Sequence, residues 1–264
     1  MITHLLTLGP AGTSAHDAAV ELFPKADITL APNFDALFET LQKNGGVGFV
    51  PIENSLHGSV DEVLDLLIET DVKMWRAYDV SIHFALGGRD PKSITKIASH
   101  SQALAQCREF LHEKFPQTER FPVSSSAFAI ELGLSDPTIG VIARESTMTQ
   151  RGLPIIQKDI HRAGNTTRFA VISKTDPFPE GPKTQMSVVL HLKNDDRPGL
   201  LHAILTPFKI YDVNLTRIQN RPTGKRLGDY HFFLDFLGTR DSARVQKTLE
   251  EIGAFADIRI LGEW

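Results

Sequence analysis

The order of elements predicts an α/β protein in two parts: two α/β lobes around a central cleft, then a smaller βαββαβ unit. Three observations carry this expectation. Through residues 1–172, strand-like and helix-like periodicities alternate, as they do where helical crossovers join the strands of a mainly parallel sheet. At 173–185 the stretch SKTDPFPEGPKTQ holds three prolines and one glycine with little apolar periodicity, which marks a linker. Beyond it the signals run strand, helix, strand, strand, helix, strand, the order of a ferredoxin-like unit. The expected division is residues 1–174, a linker at 175–184 and residues 185–264, with an inserted lobe at about 80–158.

Taken in order, LLTLG is an apolar strand ending in a Gly-Pro turn, and AHDAAVELF is helical. ADITLA reads as a strand, and FDALFETLQKN as an amphipathic helix closed by Gly45-Gly46. VGFVPI is a short buried strand before the strongly periodic helix SVDEVLDLLIET. KIASH, SQALAQCREFLHEKF, ERFPV, SSSAFAIELGL and TIGVIA continue the alternation. Two extended segments, YDVSIHFAL and PIIQKDI, read as the chain crossings between lobes. In the second part, QMSVVLHLK, VNLTRIQNRP, GDYHFFLDFLG and DIRILG are strands, and GLLHAILTPFKIY and SARVQKTLEEIGAF are helices.

Composition narrows the function classes. The 264-residue chain is 41% apolar and 23% charged, ordinary for a globular protein. A net charge of −4 gives no global attraction to nucleic acid or an anionic membrane, so an anionic ligand would need a local positive environment. The single cysteine, Cys107, excludes an internal disulfide, suits a reducing, cytoplasmic compartment, and sits in a helical pattern as a small hydrophobe. MITHLLTLGPAG lacks a basic region followed by an apolar core, so no signal peptide is expected. No apolar run approaches the ~20 residues that span a bilayer.

Small polar residues gather where strands give way to helices: Thr13-Ser14, Asn54-Ser55 with Gly58-Ser59, Ser99-His100-Ser101, and Ser124-Ser125-Ser126. Each suits a helix cap. Together they suggest a crevice at one sheet edge, lined by hydroxyls and helix N-termini and built for a small anion. A further polar run, Asn165-Thr166-Thr167-Arg168, stops at the apolar Phe169-Ala170-Val171-Ile172. His100 fits a general acid or a cap equally, and Glu53 fits an acid, a base or a cap partner, with a structural or orienting role favoured. GPAGTS is not G-x-G-x-x-G, no GxxxxGK[ST] or G-x-S-x-G occurs, and the ten histidines show no H-E-x-x-H spacing. Neither a nucleotide loop nor a metal site is expected.

The motifs GPAGT, VPIENSLHGSV, SHSQALAQC, SSSAFA and NTTRF, in this order and spacing, resemble those of prephenate dehydratases. The tail RPGLLHAILTPFKIYDVNLTRIQNRPTG…DYHFFLDFLG is similar to the ACT regulatory domain that follows in that family, so the likeness covers essentially the whole chain. It implies a type II periplasmic-binding-protein-like catalytic fold, and the monofunctional form of the enzyme. It also implies conversion of prephenate to phenylpyruvate, with loss of CO₂ and water and no cofactor, in phenylalanine biosynthesis. The key catalytic threonine of the family's TRF motif maps to Thr167, with Arg168 pairing a carboxylate or bracing the site. Thr13, Asn54, Ser55, Ser59, Ser99, His100, Gln102, Ser125, Ser126, Asn165 and Phe169 become candidates around the substrate. The effector set maps to Gly199, Leu200, Leu201 and His202, to Asn214 and Leu215, and to Gln219, Asn220, Arg221 and Pro222. The resemblance implies L-phenylalanine as feedback effector and a homo-oligomer, dimer or tetramer. Arogenate dehydration or a related reaction on another small acid, and a non-catalytic small-anion sensor, are the alternatives.

Departures from the family pattern fall at the presumed cleft turns. Ser14 and Ala15 stand where the family has Phe and Ser, His57 where it has Glu, and Ser101 where it has Pro. RESTMTQRGL puts Arg144 where small apolar residues are usual. In the second part His202 replaces a valine, and Gln219-Asn220 replace Glu-Ser.

Overall fold

The structure is a computed structural model describing residues 2–162, 164–193, 198–224 and 229–264. The first part comprises β1 (His4–Leu8), α1 (Ser14–Leu22), β2 (Asp27–Ala31), α2 (Phe34–Asn44), β3 (Gly48–Asn54), β4 (Gly58–Ser59), α3 (Asp61–Glu69) and β5 (Lys73–Ser81). It continues with β6 (Ala85–Gly87), β7 (Lys96–Ser99), α4 (Ser101–Gln106), α5 (Arg108–Lys114), β8 (Glu119–Pro122), α6 (Ser126–Ser135), β9 (Ile139–Ala143), α7 (Glu145–Gln150), β10 (Ile155–Gln157) and β11 (Thr166–Ser173). The last six elements are β12 (Gln185–Leu192), α8 (Leu200–Ile210), β13 (Leu215–Pro222), β14 (Tyr230–Leu237), α9 (Ala243–Ile252) and β15 (Ala256–Glu263), the expected βαββαβ order.

Local sequence explains the elements that frame the cleft. The Thr13 hydroxyl caps α1 by accepting from the His16 N–H, and Ser125 caps α6 by accepting from Phe128 N–H. In α2, Asn33 accepts from Ala36 N–H at 2.8 Å, and Gly45 ends the helix at φ 71. Phe34, Leu37, Phe38 and Leu41 of α2 recur at helical spacing and are all buried, each such burial contributing about 1.5–3 kcal/mol.

The strands form two mixed sheets, which corrects the expectation of a mainly parallel one. A five-stranded sheet runs β10-β6-β9-β7-β8. A ten-stranded sheet runs β13-β14-β12-β15-β5-β11-β3-β1-β2, with β4 added to β3. Helical crossovers keep β1 parallel to β2 and β3, and β7 parallel to β8 and β9. The strands at the two crossings have no such helix to reverse them: β11 is antiparallel to β3 and β5, and β6 to β9 and β10.

The C-terminal strands extend the first lobe's sheet, which the sequence does not signal. Gly262 of β15 pairs in parallel with Met74 of β5. A Cβ at Gly262 would collide with the Met74 backbone, so glycine permits this approach. Val189, Phe233 and Leu261 share one buried cluster with Val63, Leu64 and Leu67 of α3. No helix among the described residues is long and apolar enough to cross a membrane.

Candidate active site

The strand-to-helix turns of both lobes open onto one cleft of about 560 Å³. Thr13, Asn54, Ser59, His100, Gln102, Ser125, Ser126, Asn165, Thr167 and Phe169 all line it. Strand alternation selects them on β11: Thr167 and Phe169 turn into the cleft, and Arg168 between them turns away. Phe169 is fully buried and stacks on Phe49 at 4.9 Å, so it forms the cleft floor.

A directed hydrogen-bond chain runs along the floor. Asn54 Oδ1 accepts from the Leu56 and His57 N–H groups, which fixes its amide. Its Nδ2 then donates to Thr167 Oγ1 at 2.9 Å and to Asn165 Oδ1 at 3.0 Å. Asn165 Nδ2 donates in turn to Gln106 Oε1 at 2.7 Å. With Oε1 occupied, Gln106 presents Nε2 to His57 Nε2 at 3.0 Å, so that ring nitrogen accepts. Because Thr167 Oγ1 accepts from Asn54, its own O–H remains to be donated elsewhere.

Among the described residues lining the cleft there is no Asp, Glu, Lys or Arg. Its positive character comes from the N-termini of α1, α4 and α6, capped by Thr13, His100 and Ser125. The apolar wall is Val60, Ile82, Phe84 and Phe169.

Several expected site residues have structural partners. Arg168 gives its fork to Asp79, at 2.7 and 2.8 Å, with Glu53 at 3.8 Å and Trp264 beneath it at 5.7 Å. The hydrogen bond to Asp79 is the main cause holding its pKa above the usual value. It braces the outer face and does not reach the cleft. Ser99 is 0% exposed and donates to Ile142 O, tying β7 to β9. Ser55 donates to Gly164 O and accepts from Thr166 N–H, fastening the turn before β11. His100 Nδ1 accepts from Gln102 N–H, the capping role.

The structure also adds residues not singled out from the sequence. Gln106 lies one helical turn after Gln102 in α4, a spacing that signals a shared face. Ile82 and Phe84 come from the first crossing segment and carry no sequence signature. Cys107 is buried, and burial pushes its thiol up to about 12, which removes it as a nucleophile at neutral pH. Arg144 is buried beside α1, where Asp17 and Glu21 sit near its charge; its Nε and Nη2 find no partner among the described residues. Outside the cleft, His83, Asp159 and His161 meet where the two crossing segments run together. No sequence spacing announces that cluster.

The expected effector residues divide between surfaces. Leu200 is 5% exposed and belongs to the core cluster that α8 shares with the sheet. Arg221 pairs with Asp61 and Asp65 of α3, so its fork serves the join between the two parts. Gln219 shares that inward strand face. Gly199, Leu201, His202, Asn214, Asn220 and Pro222 are exposed, and Leu215 is half-buried. Gly199 has φ 85 with open space around its Cβ position, so a left-handed turn, not a close approach, calls for glycine.

Residues 5–177 match the prephenate dehydratase family, and residues 188–254 match the ACT domain. The chain belongs to the prephenate dehydratase family. It is 34% identical to a prephenate dehydratase of Methanocaldococcus jannaschii over 97% of this chain and 95% of that one. A bifunctional chorismate mutase/prephenate dehydratase of Aquifex aeolicus is 35% identical over 97% of this chain and 72% of its own. The crystal structure of an Arthrobacter aurescens prephenate dehydratase in complex with L-Phe superposes with a TM-score of 0.88 at 30% identity, covering 99% of this chain and 89% of that one. The chain is an enzyme of this dehydratase class, a lyase, on a periplasmic-binding-protein-like fold with an ACT domain.

Proposed function

We propose that the cleft converts prephenate to phenylpyruvate with Thr167 as the catalytic hydroxyl. The observation that supports this is the Asn54–Thr167 hydrogen bond, which leaves the Thr167 O–H available to donate in the cleft. As the ring carboxylate departs as CO₂, its C–C bonding pair enters the ring. The ring becomes aromatic and the C–O bond to the hydroxyl breaks. The departing oxygen takes up one proton and leaves as water. Threonine is a very weak acid, so Thr167 stabilises the leaving oxygen by hydrogen bonding while the proton comes ultimately from solvent.

The lining supports the rest of the reading. A fixed cation on the departing carboxylate would hold the ground state more tightly than the transition state, in which that charge is lost. The apolar wall of Val60, Ile82, Phe84 and Phe169 suits the ring and its departing carboxylate. The helix N-termini suit the pyruvyl carboxylate. The lining has no carboxylate to pair an ammonium, which favours prephenate over arogenate. The test incubates the protein with each substrate and follows phenylpyruvate and phenylalanine; absence of both products overturns the assignment.

The proposal extends to regulation and organisation. We divide the chain into a catalytic domain at 1–174, with its inserted lobe at about 80–158, a linker at 175–184 and an ACT domain at 185–264. L-phenylalanine would bind at the exposed ACT residues and lower activity, and two or four copies would associate through their ACT units. The buried single cysteine suits a cytoplasmic setting.

A further inference from the structure

One contact joins the ACT sheet directly to the cleft wall. Arg217 of β13 donates from Nη2 to Ser59 Oγ at 2.8 Å, and Ser59 lines the cleft. Its Nη1 pairs with Asp235 of β14 at 3.3 Å; the two side chains are only 7% and 4% exposed. Arg217 Nε finds no partner among the described residues. This is a buried charge pair held with one donor unspent, an arrangement that a small shift can repartition.

Strand geometry puts this contact in line with the effector surface. On β13, Arg217, Gln219 and Arg221 face the catalytic part, while Ile218 and Asn220 alternate to the opposite, exposed side. Any displacement of β13 at its outer face is therefore carried to Arg217 within one residue. Ser59 in turn pairs with Glu53, the neighbour of Asn54, so movement of Ser59 acts on the strand that orients Thr167.

We propose that Arg217 is the positioning residue that couples the ACT unit to the cleft: its hold on Ser59 changes when an amino acid occupies the outer face of β13. The proposal rests on the reading that L-phenylalanine binds the ACT unit. Removing the Arg217 charge outright would leave Asp235 buried and unpaired, so the primary variants are R217K, which keeps a charge beside Asp235, and S59A, which removes only the acceptor. In each full-length variant, L-phenylalanine binding is measured by calorimetry, and its effect on kcat and on KM for prephenate by initial rates.

The expected result is that both variants bind L-phenylalanine within about threefold of the parent affinity. Its effect on kcat/KM falls from the roughly 5–150-fold typical of allosteric pairs to under about twofold. The R217K/S59A double variant loses no more coupling than either single one, because both remove the same contact. Full parental inhibition in both variants overturns the role of Arg217 while leaving the effector reading intact. Loss of phenylalanine binding in R217K also overturns it, since the residue would then serve only the ACT fold. A parent protein that turns over prephenate but neither binds nor responds to phenylalanine overturns the effector reading, and the coupling with it.

Discussion

Thr167 and Arg168 are adjacent in sequence, and the strand sends them to opposite faces. Thr167→Ala removes the hydroxyl proposed to donate to the leaving oxygen, and kcat should fall by about 10²–10³, the range for losing one transition-state hydrogen-bond donor. Arg168→Gln breaks a partly exposed bidentate pair with Asp79, so it should cost about 1 kcal/mol of stability in a denaturant titration while leaving kcat nearly unchanged. A collapse of kcat in R168Q with unaltered stability would place the guanidinium in the reaction after all. His161 makes a pH prediction at the same scale. Burial first, and then the neighbouring His83, lower its pKa below 6.5, although the Phe84 N–H contact and Asp159 pull the other way. The unfolded chain therefore binds this proton more readily than the folded one. The stabilising contribution is complete above about 6.5 and is lost as pH falls through the lowered folded value. In His161→Gln, the fall of the melting temperature between neutral and mildly acid pH should be shallower than in the parent; an identical slope would remove the assignment.

Among the elements, the strands and helices were legible because their periodicities are local. Phe34, Leu37, Phe38 and Leu41 announce α2, and Thr13 and Ser125 announce the helices they cap. The cleft polar residues were legible for the same reason, since strand-to-helix turns converge whatever the details of packing. The backbone bonds of Ser99 and Ser55 were not legible, because a hydroxyl serves a backbone carbonyl as readily as a ligand, and only tertiary contacts decide. Strand β4, two residues long, and the β15–β5 pairing are too short or too distant in sequence to leave a pattern. That pairing carries a prediction. Gly262→Ala drives a methyl group into the Met74 backbone, and overpacking of this kind costs about 1–3 kcal/mol. The variant should release the C-terminal sheet from β5. Faster proteolytic cleavage within 174–184 and a lower melting temperature would report it; unchanged values for both would show that the sheet yields without strain.

For the whole molecule, one edge of the ten-stranded sheet carries a prediction about assembly. β13 ends that sheet and pairs, among the described residues, with β14 alone. On this edge strand Ile218 is an exposed apolar side chain, at 43%, and Leu201 in the first turn of α8 is exposed at 42%. An open edge with adjoining apolar surface is a template for strand pairing, and a second copy of the same edge satisfies it with two-fold symmetry. Such an interface would enclose Asn214 and Asn220 and cover the N-terminus of α8 at Gly199, which gives an amino acid a partly buried seat. A charge at Ile218 would be desolvated in that interface and harmless outside it. Ile218→Lys should therefore shift the protein from dimer to monomer in sedimentation equilibrium at micromolar concentration. Prephenate turnover should persist, because Ile218 is on the ACT strand β13 and is not among the residues lining the cleft. Inhibition by L-phenylalanine should be lost with the dimer. A parent chain that sediments as a monomer, or an I218K variant that stays dimeric and inhibitable, would move both the interface and the effector seat away from β13.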